Sequence, residues 1–389
     1  MVSRNTNLLR FYNFFYEFRP YGAIAVIYFA HVTHSYALGL AVFSISAVSN
    51  SILQLPTGFL SDRIGRKKTV ILGSIASVIA LSLYASAHSF PILLLGALFN
   101  GLAGASISGN NDALLYDTLK SADREDEFAT VHGKVSAMFE LGLGISALVA
   151  TVLALVSLRF VMVASIVPQA ICVLIALGFM EPRLHTEEIA SDLYNHLKGA
   201  LKSFKRNAKL RKLSIAYIVD FAVQEAIYNF KPAFNSLLWP NWALGIARAL
   251  DNTFGFLGFH FAGKLIDRYT ALKTLFVQQV LGLADGLIFA GFPNVISPIM
   301  LSGNAFAYGV GVTANQTLMQ KEFTDKQRAT MGSLNSLGGN LLYAVVTFCV
   351  GLVADGIGPA RTMLVLIVVS IPAVFLYRGL YRKHAHDTL

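Results

Sequence analysis

The sequence predicts an all-α integral membrane protein of twelve transmembrane helices, arranged as two six-helix bundles. Hydrophobic residues make up 55% of the 389 residues and charged residues 14%, which is far too apolar for a soluble domain of this length. The apolar runs approach the ~20 residues that an α-helix needs to cross the hydrocarbon core, and they are too long for barrel strands. A glycine- and charge-rich segment recurs in the second half, as expected for two parallel repeats.

Breaks marked by glycine, proline, asparagine or charge divide each half of the chain into six apolar segments. In the first half, spans are expected near residues 20–42, 45–61, 69–88, 91–116, 133–156 and 160–180. In the second half, they are expected near residues 210–236, 241–263, 272–291, 295–320, 329–354 and 358–380. An even number of spans returns the carboxyl terminus to the side where the chain began.

Two polar segments accompany these spans. Residues 1–19 mix aromatic with polar side chains, which predicts a segment lying at the membrane interface before the first span. Residues 181–209 combine apolar residues at helical spacing with basic residues on other faces, so an amphipathic helix along the cytoplasmic leaflet is expected. The predicted domains are therefore a bundle in 1–180, this linker, and a bundle in 210–389.

The formal net charge of +9 is explained by topology. Almost all lysines and arginines fall in alternate loops and at the chain ends, as the positive-inside rule requires for a protein with both termini in the cytoplasm. We therefore expect a monomeric, multi-pass protein of the bacterial cytoplasmic (inner) membrane, with the lipid bilayer and no nucleic acid as its partner. Cys172 and Cys349 lie in separate apolar runs and suggest neither a disulfide nor a metal site, and no cofactor is expected.

Residues 56–68 form the most specific motif of the chain, P-T-G-F-L-S-D-R-I-G-R-K-K. Gly58 would let another helix approach closely, and Asp62 places a carboxylate at the membrane edge. Gly65 permits a tight reversal of the chain. Arg66 begins a run of three basic residues, which is typical of a short cytoplasmic loop at the bilayer surface.

This segment, running from Gly58 through Arg63 to Lys68, resembles the loop between the second and third transmembrane helices of the major facilitator superfamily. A weaker copy, Gly263–Arg268, occupies the equivalent place in the second half. The resemblance covers essentially the full chain. It implies a transporter of two six-helix bundles, without enzymatic activity.

The resemblance also implies a latch at the cytoplasmic end of the fourth span. There an acidic residue pairs with the loop arginine, which is carried over to Asp117 and Arg66. A carboxylate and a guanidinium at a half-dry helix junction form a charge-assisted bond that can be exchanged when the bundles move. Asp112 is the rival acidic partner, and a solvated surface pair is the competing interpretation.

Several ionisable side chains fall inside the expected spans, where a charge costs ~2.5–3.5 kcal/mol on insertion scales and needs a partner. Asp220 is the most central acid of the seventh span and is the first candidate to bind and release a proton, with Glu225 beside it. His31 and His34 of the first span are the alternative proton carriers. A structural tie to a neighbouring helix is the competing interpretation for each group.

The resemblance implies that the first, fourth, seventh and tenth spans line a central cavity. The uncharged side chains that could contact a solute there are Tyr28, Asn100, Gln224, Tyr228, Asn304, Tyr308 and Asn315. In the eighth span, Arg248 could hold an anionic group, and Asp251 three residues later could neutralise it. Asp285 of the ninth span is a weaker candidate, because that span is usually peripheral in the superfamily.

These features predict a secondary active transporter that moves a small organic solute by alternating access. No phosphate-binding P-loop occurs in the sequence, so the energy is expected to come from an ion or solute gradient. Proton-coupled export of an amphipathic compound is the first hypothesis. Proton-linked import of a nutrient or metal chelate and a non-transporting membrane sensor are the alternatives. They stay open because the fifth span has Gly142 and Gly144 but no proline, whereas drug exporters of the superfamily usually carry a glycine-proline-glycine motif there.

Overall fold

The computed structural model describes residues 1–182, 208–322 and 328–372, together with residues 374, 375 and 377. Every regular element within these ranges is a helix, which confirms the predicted all-α class. Seven helices in the described part of the chain are long and apolar enough to cross a membrane by length and composition. The predicted amphipathic linker at 181–209 lies outside the described residues, apart from two residues at each end.

Within each half of the described chain, the helices follow one another with short connections. In the first half they are α1 Val2–Glu17, α2 Ala25–Thr33, α3 Tyr36–Ile64, α4 Arg66–Ser86, α5 Phe90–Ile107, α6 Asn110–Lys120, α7 Phe128–Ala154, α8 Leu158–Ala164 and α9 Ile166–Leu177. In the second half they are α10 Ala208–Asn235, α11 Leu244–Tyr269, α12 Ala271–Gly291, α13 Ser297–Glu322, α14 Arg328–Ile357 and α15 Pro359–Val369. Short 3₁₀ turns occur at Pro20–Ala23, Glu125–Glu127 and Asn241–Ala243.

The contacts between residues divide the chain into two compact units. The first unit comprises Met1–Glu187 and Asn241–Ala249, and the second comprises Glu188–Pro240 and Leu250–Leu389. The short segment 241–249 belongs to the first unit because its Leu244 is part of an apolar cluster there.

Two clusters of buried apolar side chains form the core of the first unit. In one cluster, the rings of Phe29 and Tyr84 lie 4.9 Å apart and join α2 to α4. Gly96 of α5 makes room for this contact, because a Cβ atom there would lie 2.6 Å from the Tyr84 ring. The other cluster contains Leu9 and Tyr12 of α1, both fully buried. Burying such side chains contributes roughly 1.5–3 kcal/mol each.

The prediction that residues 1–19 lie at the membrane interface is therefore wrong. The Tyr12 hydroxyl is hydrogen-bonded to Ser74 Oγ at 2.9 Å in the interior of the unit. Asn5, one of the polar residues that suggested an exposed position, is buried and donates from Nδ2 to Thr118 Oγ1 at 2.9 Å. A buried amide is stable when its hydrogen bonds are satisfied, so its polarity alone did not reveal its position.

The expected spans 20–42 and 45–61 also differ from the structure. The chain breaks at His34, which has a left-handed φ of 54°, and the hydroxyl of Ser35 then accepts the backbone N–H of Leu38 at 3.2 Å. Serine at this position stabilises a helix start, because it satisfies a backbone donor that has no partner within the helix. The helix α3 therefore begins earlier than predicted and extends over 29 residues.

In the second unit, α10 packs against α13, α14 and α15. Buried alanines keep these contacts close: Ala216 of α10 and Ala314 of α13 share a cluster with Leu275 of α12. Gly339 of α14 has the same effect, because a Cβ atom there would lie 2.8 Å from the ring of Phe221 on α10. This packing brings polar side chains of α10 next to those of α12 and α13.

Candidate functional site

The turn between α3 and α4 places the guanidinium of Arg66 among acceptors from two other helices, α3 and α6. Gly65 makes the turn with a φ of +102°, a conformation that glycine adopts without steric cost. Arg66 Nη1 then lies 2.9 Å from Asp62 Oδ1 and donates to Asn110 Oδ1 at 3.2 Å. Its Nε lies 3.6 Å from Asp117 Oδ2. Charge-assisted contacts of this kind connect α3, α4 and α6.

A further carboxylate, from Glu181, binds the start of α4. Its Oε1 accepts the backbone N–H of Arg66 at 2.7 Å, and its Oε2 accepts that of Lys67 at 2.9 Å. A negative charge here is favourable, because the first amides of a helix lack partners within it and carry partial positive charge. Sequence analysis missed this role because Glu181 is more than a hundred residues away in the chain and was assigned to the linker.

The other residues of the loop motif contribute less to this cluster. Asp112, the rival partner for Arg66, has its Oδ1 3.3 Å from Nε2 of His132. Arg63 is exposed. No helix of the described residues approaches Gly58 closely, because a Cβ atom there would meet none of their atoms within 4 Å.

Asp220, on α10, is held by two side-chain amides. Its Oδ1 accepts Nε2 of Gln279 on α12 at 2.7 Å, and Gln224, one turn further along α10, also hydrogen-bonds its carboxylate. Tyr308 of α13 and Tyr377 lie within electrostatic range of the same group. The carboxylate is therefore partly buried in a cluster whose hydrogen-bond donors are neutral.

Glu225 and Tyr228 lie on other faces of α10. Five residues along a helix turn by about 140°, so Glu225 diverges from Asp220. Tyr228 donates its hydroxyl to Asn252 Oδ1 on α11 at 3.3 Å. Glu225 lies within electrostatic range of Tyr308, as Asp220 does. Asp220 and Glu225 therefore place carboxylates on two different faces of α10.

A buried ion pair lies further along α10. Lys231 Nζ is 2.6 Å from Asp251 Oδ1 on α11 and donates to the backbone carbonyl of Leu301 on α13 at 3.1 Å. The two residues are 5% and 3% exposed. Sequence analysis considered Arg248 beside Asp251 and did not assign Lys231, although it was one of the few basic residues outside the expected cytoplasmic segments.

Two asparagines of α13 serve as ties within the second unit. Asn304 hydrogen-bonds the carboxylate of Asp285 on α12, whose Oδ2 is buried and has no hydrogen-bond partner among the described residues. Asn315 is buried and donates from Nδ2 to the Tyr377 hydroxyl at 2.8 Å. The structure therefore brings both asparagines next to a titratable side chain.

In the first unit, two of the residues expected to contact a solute have structural partners. Tyr28 is buried in the core and donates its hydroxyl to the backbone carbonyl of Tyr84 at 3.1 Å. This hydrogen bond gives Tyr28 a structural role in the core, and its contact with a solute stays a prediction. Asn100 donates from Nδ2 to Ser46 Oγ at 2.7 Å and joins α5 to α3.

The histidine pair does not lie inside a membrane-spanning helix as expected. His31 is in the last turn of α2 and His34 ends that helix, and both side chains are exposed. Their ring centroids are 6.4 Å apart. The break before Ser35 moves them from the interior of a span to its end.

Comparison with known families and structures agrees with this fold. The Major Facilitator Superfamily model matches residues 8–347. An uncharacterized transporter of Buchnera aphidicola is 34% identical over 98 residues, which cover 25% of this chain and 24% of that protein. The quinolone resistance protein NorA of Staphylococcus aureus is 27% identical over 115 residues, or 30% and 29% of the two chains. The chain thus matches 24% and 29% of the length of these curated relatives.

Solved structures match over nearly the whole chain. The nucleoside transporter NupG superposes with a TM-score of 0.82 at 15% identity, covering 97% of this chain and 99% of NupG. A bacterial homologue of the human lysosomal transporter Spinster, inward-facing and unoccupied, gives 0.79 at 16% identity, covering 99% and 98%. Identities this low establish the fold alone. The family match over residues 8–347 shows that the chain belongs to the major facilitator superfamily, a family of membrane transporters and not of enzymes.

Proposed function

We propose that this transporter exports a small amphipathic solute in exchange for protons, and that Asp220 carries the proton. The main support for this proposal is the set of hydrogen-bond donors around Asp220, where the amides of Gln279 and Gln224 hold a partly buried carboxylate. Neutral donors can bind the charged carboxylate and can reorient when it is protonated. A proton can therefore enter and leave without first breaking an ion pair.

The other acids of the second unit are less suited to this task. Asp251 contacts Lys231 at 2.6 Å, and protonating it would leave a buried ammonium without its counter-charge. Asp285 has one amide partner in Asn304 and one buried oxygen without a partner. It is the second candidate, because such an oxygen can take up a proton at the least cost to existing contacts.

The contacts of Arg66 support a role in switching between conformations. Asp62 and Asp117, from α3 and α6, both contact its guanidinium, and each is partly exposed. Contacts of this strength can be exchanged for others when helices move, whereas a fully buried pair would be too costly to open. We infer that this cluster stabilises one state of the alternating-access cycle, at the cytoplasmic side of a bacterial inner membrane.

Similarity to the quinolone resistance protein supports export as the direction and an amphipathic organic compound as the solute. The similarity covers less than a third of either chain, so substrate and direction belong to the proposal. Proton-linked import of a nutrient is the alternative, and it would use the same Asp220 with the gradient in the opposite sense.

Reconstituted vesicles test both coupling and direction. The full chain would be inserted into liposomes, a pH step of either sign imposed, and a lipophilic cationic dye followed by fluorescence. Export by exchange predicts that the dye moves against the proton flow, and import predicts that it moves with it. Dye movement that ignores the pH step in both directions would refute proton coupling.

A further inference from the structure

A cavity of about 320 Å³ lies between α11, α12 and α13 of the second unit. Its walls are apolar: Val277 and Leu281 come from α12, Phe306 and Val310 from α13, and Leu265 from α11. Val277 and Leu281 are 42% and 61% exposed, so the described chain leaves the cavity open along α12. The volume falls within the roughly 300–1,000 Å³ typical of small-molecule sites.

One end of this groove is positively charged. Tyr269 and Lys273 line it where α11 ends and α12 begins. Arg268 Cζ lies 5.3 Å and Lys273 Nζ lies 5.5 Å from the centre of the Tyr269 ring. Lys264 is exposed one turn earlier on α11, and Asp267 is the acid in the same stretch. Three cations against one carboxylate give this end a net positive charge.

We propose that the groove binds one anionic phospholipid, with its phosphate between Arg268 and Lys273 and an acyl chain along α12. From Lys273 to Leu281 the helix rises about 12 Å at 1.5 Å per residue, which accommodates a large part of an acyl chain. The basic end of the groove matches the anionic headgroup, and its apolar walls match an acyl chain. A free phosphate would leave the apolar walls exposed, and a neutral lipid would leave the cations without a counter-charge.

The chemistry favours a lipid over a water-soluble anion for a second reason. The chain is a membrane protein, so lipid acyl chains surround its exposed apolar surface at high local concentration. Basic pockets between transmembrane helices are places where anionic headgroups bind. The exposed Tyr269 adds a hydroxyl and an aromatic ring, which are favoured at the level of the headgroups.

Lipid binding to the purified full-length protein tests the proposal. Native mass spectrometry would count bound molecules during titration with phosphatidylglycerol, with phosphatidylcholine of the same acyl chains, and with inorganic phosphate as competitor. We expect phosphatidylglycerol to bind about tenfold more tightly than phosphatidylcholine, and phosphate not to displace it. Equal binding of the two lipids, or full displacement by phosphate alone, would overturn the proposal.

Variants locate the site. Arg268→Gln with Lys273→Gln should reduce phosphatidylglycerol binding about tenfold, since each basic residue near the surface favours an anionic lipid. A matched control, Lys120→Gln with Lys134→Gln, removes two exposed charges elsewhere and should leave binding unchanged.

Filling the groove tests the acyl-chain half. Ala307→Trp should abolish binding while the headgroup cations remain, and Val277→Phe serves the same purpose if the first variant does not fold. Thermal unfolding of each variant verifies its fold. Undiminished phosphatidylglycerol binding in both the charge variant and a folded groove variant would refute the site.

Discussion

Lys231 Nζ lies 2.6 Å from Asp251 Oδ1 in the interior of the second unit and joins α10 to α11. Removing one partner of a buried pair leaves an uncompensated charge, which typically costs 3–5 kcal/mol. We therefore expect Lys231→Met to destabilise the protein by about 3 kcal/mol or more. Unfolding in mixed micelles with increasing SDS measures the change.

Two controls distinguish this effect from a general loss of charge. The double variant Lys231→Met with Asp251→Leu should recover most of the lost stability, because no unpaired charge then remains. Arg124→Met, which removes the exposed pair with Glu127 at 2.7 Å, should change the stability little, because solvent screens an exposed pair. Equal losses of stability in Lys231→Met and Arg124→Met would show that the buried pair contributes no more to stability than the exposed pair.

Asp62→Asn tests the contact of this acid with Arg66. The ion pair is partly exposed and should contribute less than about 1 kcal/mol to stability, so the variant should fold normally. Transport should fall about tenfold, because a change of about 1.4 kcal/mol in the balance between two states alters a rate by that factor. Asp126→Asn, in an exposed turn, is the matched control for transport in vesicles. Wild-type rates in Asp62→Asn would contradict the switching role.

Gly65→Ala tests the turn that positions Arg66. Alanine disfavours a φ of +102°, and its Cβ would lie 2.7 Å from Glu181 Oε2, so a loss of about 1–3 kcal/mol is expected. Gly58→Ala is the control, because its Cβ meets no described atom within 4 Å and alanine favours a helix. Its stability should stay equal or rise slightly. If both variants unfold at the same SDS concentration as wild type, the turn is not strained by a side chain.

Asn5→Ala tests the position of α1 in the core. Asn5 donates to Thr118 Oγ1 and to the carbonyl of Met180, and its Oδ1 accepts the Met180 N–H at 2.9 Å. Leaving these buried groups without partners should cost about 1–3 kcal/mol. Asn7→Ala, at an exposed position of the same helix, should change the unfolding midpoint little. A similar midpoint for both variants would place α1 outside the core.

The sequence predicted the fold class because the evidence for it is local and repeated. Apolar runs of span length, loop charges and the motif at 56–68 each depend on neighbouring residues. Periodicity also placed Asp220 and Gln224 on one face of a helix, since four residues nearly complete a turn. Contacts within one helix, such as this one, can be predicted without knowing how the helices pack.

Tertiary partners could not be predicted in this way. Gln279 is 59 residues from Asp220, and Glu181 is 115 residues from Arg66. The identity of each partner depends on which helices pack together. The periodicity of a single sequence does not indicate which helices are neighbours. The break at His34 was missed for another reason, because one serine cap outweighed an otherwise continuous apolar pattern.

The most direct test of the account is transport by Asp220→Asn in vesicles, measured in two ways on the same preparation. Asparagine is nearly the size of aspartate and keeps one oxygen that can accept the Gln279 amide, but it cannot carry a proton. We predict that accumulation of a labelled solute driven by a pH gradient is lost, while exchange of the solute at equal concentrations on both sides persists. Asp285→Asn, treated identically, should retain the driven accumulation. Accumulation by Asp220→Asn at the wild-type level would contradict the central claim.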